Sequence, residues 1–275
     1  MSHQRDRGRL DPICLFLGPS LDPREASEQW AQLDQRRPAA QRRQLVVVPP
    51  IKQGDLIRLV DSHMSWSAIG IVDGVLRQSP AVSHKEILYA MKRGVWIYGA
   101  SSMGALRAAE CDRFGMVGVG RIYRDFRDGI LQDDDEVVVA HASDPDTEYY
   151  ACSSQPLCNI RYTLERACDR GIASRAVCDH LVAHLQCRPF WERTLERALD
   201  HVGEQTDWRR ECTALATWLC DDPDAFLDQK RRDAVELLRV LAGIDGDAGA
   251  PATDDWELAD TYGWQLVYRR ARGEL

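Results

Sequence analysis

The sequence predicts an α/β protein: a parallel sheet with helices on both faces, followed by a helical C-terminal region. Short β-branched runs alternate with helical stretches through the first half of the chain. Those runs are apolar throughout rather than alternately polar, as strands covered on both faces require. After about residue 156 they cease, and apolar residues recur at helical spacing instead.

The strands are "ICLFLG" at 13–18, "QLVVVPP" at 44–50, "AIGIVDG" at 68–74 and "GVWIYGA" at 94–100, with "EVVVAH" at 136–141 a further candidate. Between them "DPREASEQWAQL", "KQGDLIRLVDSHM" and "SHKEILYAMKRG" are long enough for crossover helices, which makes the arrangement Rossmann-like. Helical segments are expected near 158–170, 173–202, 207–220 and 223–243. "GIDGDAGAPATDDWE" reads as a flexible linker, and "LADTYGWQLVYRRARGEL" as a docking segment, a short strand or a frayed tail. The expected division is an α/β core over 1–155, a helical region over 156–243, and linker plus tail over 244–275.

Composition narrows the function. In 275 residues, 35 Lys and Arg face 43 Asp and Glu for a formal charge of -8. That balance argues against a general affinity for nucleic acid while leaving room for a local basic patch. No apolar run approaches the ~18 residues of a membrane span, and "MSHQRDRGRLDP" lacks the apolar stretch of a secretory signal, so a cytoplasmic protein is expected. The nine cysteines are odd in number and lack CxxC spacing, so they read as reduced, mostly structural thiols, with neither a disulfide framework nor a zinc site.

In a parallel sheet the C-terminal ends of all strands share one edge, and ligands bind there. That edge collects Gly18, Pro19 and Ser20, then Pro49 and Pro50, Asp73 and Gly74, the loop to "SHKE" at 83–86, and "GASSMG" at 99–104. Ser83 and Glu86 form a capping-box pattern. His84 and Lys85 occupy the first turn of that helix, where the macrodipole disfavours positive charge, so Lys85 calls for a nearby anion or for service as a neutral amine. In "GASSMG", Ala100 and Gly104 stand two residues either side of Ser102, a relaxed nucleophile elbow. There the N–H groups of Met103 and Gly104 would serve an oxyanion and Lys85 would serve as base. Ser101 and His84 are the alternates. The pattern alone also fits a phosphate-cradling turn or a capped helix start. With no complete GxGxxG or GxxxxGK[ST], an ordinary nucleotide site is disfavoured and no cofactor is expected. "DDDE" at 133–136 reads as a solvated turn rather than a metal site, and His180 and His184, without the Glu of HExxH, as surface helix residues.

"FLGPSL", "AIGIVDGV", "PAVSHKEILYAMKRGVWIYGASSMGALRAAE", "FGMVGVGRIYRDFRDGIL", "DDDEV" and "NIR" together resemble the TfuA-like core domain, named for trifolitoxin synthesis, over about residues 13–165. The resemblance implies a partner of YcaO enzymes in peptide backbone thioamidation, in which YcaO activates the amide with ATP. The TfuA-like protein would release sulfide from a ThiS-like, ubiquitin-fold carrier bearing a C-terminal thiocarboxylate. It also implies a Ser and Lys pair, which falls on the serines of "SSMG" and on Lys85. Ser102 is then the expected nucleophile, the edge residues Gly18, Pro19, Ser20, Asp73, Gly74, Gly99, Met103 and Gly104 line the slot for the carrier tail, and Arg107, Arg121 and Arg124 meet its acidic groups. The expected partners are a YcaO enzyme, the carrier and a precursor peptide, with no nucleic acid and no membrane. Two other classes remain open: a noncatalytic adaptor that activates YcaO, and a nucleotide-binding regulator.

Overall fold

The structure, a computed structural model, describes residues 10–75, 79–144, 149–244, 251, 253 and 255–274. Strands β1 (Ile13–Phe16), β2 (Leu45–Val48), β3 (Ala68–Ile71), β4 (Trp96–Ala100) and β5 (Val117–Val119) form one parallel sheet in the order β2-β1-β3-β4-β5. The register sets Ile13 against both Leu45 and Ala68, and Tyr98 against Val117. The order reverses between β1 and β3, the position at which doubly wound sheets open a crevice beyond their strand ends.

The connecting helices are α1 (Pro23–Gln35), α2 (Asp55–Val60), α3 (His84–Lys92), α4 (Met103–Cys111) and α5 (Arg121–Arg127). Next come an antiparallel hairpin of β6 (His141–Asp144) and β7 (Tyr149–Cys152), then α6 (Leu157–Asp169), α7 (Arg175–Gln186), α8 (Leu195–Gln205) and α9 (Arg209–Asp221). Last are α10 (Gln229–Ala242) and α11 (Tyr262–Ala271). On one face of the sheet Trp30 of α1 and Leu237, Leu238 and Leu241 of α10 pack with Ile13 and Leu15. On the other, Leu56, Ile87, Met91 and Ala108 from α2, α3 and α4 pack with Cys14, Ile69 and Ile97. Alternate strand residues thus meet different covers, which is why the strand sequences are apolar without a break.

The chain divides into two compact units at places other than the sequence boundaries at 155 and 243. One holds the described residues up to Asp128 and those from Arg231 onward, and the other runs Gly129–Lys230. The reason lies in α10. Asp233, fully buried, accepts hydrogen bonds from the backbone N–H groups of Arg121 (3.1 Å) and Ile122 (2.8 Å), so a carboxylate more than a hundred residues away caps the start of α5. The Gly129–Lys230 unit has its own core, with Leu164, Leu181, Leu199 and Leu215 at its centre.

Several expectations change. "EVVVAH" is not a strand: Asp134–Glu136 make one 3-10 turn, Val137 and Val138 are buried, and β6 begins only at His141. "DDDE" is a solvated turn only in its first half, where Asp133 and Asp134 are exposed. Glu136 is 2% exposed and pairs with Arg161 at 2.7 Å, while Asp135 pairs with the buried Arg193 at 2.6 Å. Among the described residues no cluster suits a metal ion. The 173–202 segment splits into α7 and α8, and β5 is a strand the sequence reading did not contain. His184 is stacked on His201, with ring centroids 4.8 Å apart, rather than standing free on the surface. Much of the proposed linker, residues 245–250, 252 and 254, lies outside the described residues. Of the three readings of the tail, docking holds: Trp264 and Tyr268 of α11 pack on Tyr89 of α3, and Arg272 pairs with Asp61 at 2.9 Å. All nine cysteines are free, five of them buried. No helix among the described residues is long and apolar enough to cross a membrane.

Replacing Asp233 by Ala should therefore cost about 2 kcal/mol of stability in urea unfolding, the loss of a buried cap that serves two donors. An unchanged midpoint would show that α5 does not depend on α10.

Candidate active site

The edge predicted from sequence assembles around two stitches. Asp73, just beyond β3, accepts from the N–H of Gly18 (2.9 Å), the N–H of Ser20 (3.0 Å) and the hydroxyl of Ser20 (2.6 Å), all just beyond β1. The carboxylate is 2% exposed. These polar groups, read from sequence as slot lining for substrate, are spent on one another across the β1/β3 switch point and clasp the loops. Packing brings the neighbouring loops in: a methyl on Gly18 would collide with Pro50, and one on Gly74 with Met103.

The second stitch holds the start of α4. The N–H of Gly104 donates to the carbonyl of Val72 at 3.2 Å. Side chains at Gly99 and Gly104 are excluded, since a Cβ at either would strike backbone: the Gly104 carbonyl from Gly99, the Ile71 carbonyl from Gly104. The helix thus begins directly on the ends of β3 and β4, and the chain must reverse within two residues. It does so at Ser101, whose φ is +68°, the only positive value among the described non-glycine residues. The N–H of Ser102 reaches back to the carbonyl of Ala100 at 2.8 Å. A positive φ spanned by such a bond marks a γ-turn of the rare, strained kind.

This shifts the assignment between the two serines. The elbow geometry belongs to Ser101, not to Ser102 around which the sequence spacing is symmetric. Ser101 is fully buried, and its Oγ has no hydrogen-bond partner among the described residues. Ser102 sits at the N-cap of α4, yet its side chain makes no capping bond. The helix-cap reading is therefore not what the turn does. Of the two expected oxyanion donors, Gly104 is committed to Val72. That leaves the N–H of Met103 as the first helical donor.

The "SHKE" residues are all tied. Ser83 and Glu86 complete a capping box, and Glu86 also accepts from the Gly54 N–H at 2.6 Å, so one carboxylate serves the starts of α3 and α2. Burial pushes the Glu86 carboxyl above its ordinary value against the pull of these bonds. His84 contacts Glu110 at 2.7 Å. Lys85 donates to the carbonyl of Ala259 (2.7 Å) and the hydroxyl of Thr261 (2.8 Å), which precede and cap α11. It donates to neither serine. Arg107 is not a free docking cation, because it binds the Val82 carbonyl at 2.9 Å and Glu110 at 2.6 Å. Arg121 lies near Asp125 at 3.4 Å, and Arg124 is exposed. The residue missed from sequence is Glu110. A Glu seven residues along α4 from Met103 carries no motif, and only the packing of α3 on α4 reveals it.

The fold and this turn define an α/β protein with a doubly wound sheet and a strained serine at the strand-to-helix turn beside the switch point. Residues 73–194, a little under half of the chain, match the family model described as TfuA-like protein, so this stretch is similar to a TfuA-like domain. The match takes in Asp73, "SHKE", "SSMG" and "DDDE". Such a domain implies a role associated with YcaO-type modification. Comparison with curated proteins gives no match.

Two outcomes follow. Ser101→Gly removes both the positive-φ strain and the orphaned hydroxyl, and should raise stability by about 1 kcal/mol even after the added freedom of the unfolded chain is counted; a less stable variant would show that the turn is unstrained. Burial raises the carboxyl of Glu110, but its bonds to His84 and Arg107 outweigh this and hold it below the ordinary 4.5. Its contribution to stability is therefore full above pH 4.5 and is lost as pH falls through the lower folded value. Glu110→Gln should flatten that acid limb slightly, since the pair is part-exposed, and identical limbs in the two proteins would refute the pairing.

Proposed function

We propose that the protein is a YcaO partner that releases sulfide from a thiocarboxylated carrier protein, with Ser101 as nucleophile. The observation that supports this is the buried, unpartnered hydroxyl held on a strained turn between a parallel strand and a helix. Strain of this kind persists where the surrounding structure over-determines it, and it commonly marks chemistry. Attack of the Ser101 oxygen on the thiocarboxylate carbon forms a C–O bond. Collapse of the tetrahedral adduct breaks the C–S bond and expels hydrosulfide, which takes the serine proton by way of the base. Water then cleaves the acyl-serine to a carboxylate and restores the hydroxyl. The Met103 N–H at the start of α4 is the donor for the oxyanion, in the positive field of the helix end.

Lys85 is the base in this reading, once its amine leaves Ala259 and Thr261. His84 is the alternate, and its contact with Glu110 would orient the ring. The same Lys85 contacts favour a second reading, in which Lys85 only anchors the C-terminal segment and the protein is a noncatalytic adaptor for YcaO.

Sulfide release from a thiocarboxylated ubiquitin-fold carrier separates the two. Ser101→Ala should lower the rate by about a hundredfold or more and Ser102→Ala by much less, with Lys85→Met matching Ser101→Ala if the lysine is the base. A Ser101→Ala protein that supports full thioamidation alongside YcaO would establish the adaptor reading. Full activity in Lys85→Met with loss in His84→Ala would move the base to the histidine.

A further inference from the structure

A second candidate site lies on the face of the sheet covered by α1 and α10. Between these two helices runs a groove of about 510 Å³. The Arg231–Glu25 pair joins the helix starts and the bond from Arg37 to the Ile244 carbonyl joins their ends, so the helices run parallel. From α1 the groove takes Gln29, Gln32, Leu33 and Arg36, spaced as one helical face; from α10 it takes Arg232, Val235 and Arg239, spaced the same way. Arg231 at one end already has its carboxylate. Arg36, Arg232 and Arg239 have none among the described residues, in a chain whose formal charge is -8. Three guanidiniums that make no ion pair among the described residues give the groove a positive lining that an anion would complement.

Spacing says which anion. Arg232 and Arg239 are seven helical residues apart, about 10 Å along the axis, too far for one phosphate or sulfate to bridge. The stretch between them offers the amide of Gln32, donor and acceptor both, over the apolar floor of Leu33 and Val235. Among the described residues no aromatic ring lines the groove to stack a base. The geometry points to an acidic peptide segment as the occupant, extended in the groove with carboxylates about three residues apart. In a polyproline-II conformation such residues face the same way about 9 Å apart, which meets the arginines at the two ends, while the glutamine amide bonds the peptide backbone. This site is independent of the serine chemistry.

The test uses the full-length protein and a fluorescent dodecapeptide carrying Asp at every third position in an Ala and Pro background. Saturable binding should weaken as salt rises, and should fall about tenfold or more both for the Asn version of the peptide and for the Arg232→Glu/Arg239→Glu protein. Arg36→Gln, a milder change, should weaken it by a smaller factor, and Arg113→Glu, beside Phe114 on the opposite face of the sheet, should leave it unchanged. Ser101→Ala should bind like the parent protein, so that failure here and failure of the hydrolase reading are told apart. Equal binding of the Asp and Asn peptides would overturn the inference, as would full binding by a double variant with an unchanged circular dichroism spectrum. Displacement by tripolyphosphate at lower concentration than by unlabelled peptide would assign the groove to a small polyanion instead.

Discussion

The start of α4 rests directly on the ends of β3 and β4, with no space for even a methyl group at Gly99 or Gly104. This close approach governs the neighbourhood. It lets the Gly104 N–H reach the Val72 carbonyl, which fixes the helix on the sheet and leaves only Ser101 and Ser102 in which to turn the chain from strand to helix. Nothing less abrupt than a positive φ closes so short a turn, and it falls on a serine rather than on a glycine. The unpartnered hydroxyl of Ser101 follows from the same geometry, since the backbone groups around it are already bonded to each other. Asp73 works one strand over in the same manner, clasping the loop after β1 so that the crevice at the switch point has a fixed wall.

The sheet was legible in the sequence to the extent that burial forced an apolar run. β1 to β4 lie between two layers of helices and could be read to within two or three residues at their ends. β5 could not: it is three residues long and carries Gly118 at its middle, where a side chain would strike the ring of Tyr123. "EVVVAH" misled for the opposite reason, because Val137 and Val138 are buried for packing while Glu136 is made tolerable by Arg161, a partner that sequence cannot supply. Helical periodicity likewise showed that α10 exists but not which unit it joins. That depends on Asp233 finding the bare N–H groups of α5.

At the site, the segment was legible and the register was not. Small residues stand two before and two after Ser102, Ala100 and Gly104, whereas Met103 follows Ser101 at that distance, so spacing pointed to Ser102. The distinction lies in a dihedral angle, which is set by how closely the helix approaches the sheet. The loop residues Gly18, Ser20 and Asp73 were correctly gathered on one edge, but their polar atoms turn inward to each other. Proximity was predictable from topology, whereas the direction of each hydrogen bond was not.

Lys85 shows how an anomaly can be real and still have an unforeseen resolution. A cation in the first turn of α3 opposes the helix dipole, and the sequence demanded a compensating group. The structure supplies a carbonyl and a hydroxyl from the C-terminal segment, together with the aromatic contacts of α11 on Tyr89 and the Asp61–Arg272 pair. An amine that donates to Ala259 and Thr261 is not placed to accept a proton from a serine in that same geometry. Docking of this segment and service of Lys85 as a base therefore compete for one side chain. In the hydrolase reading, the tail contact must open before chemistry; in the adaptor reading, it is the purpose of the residue.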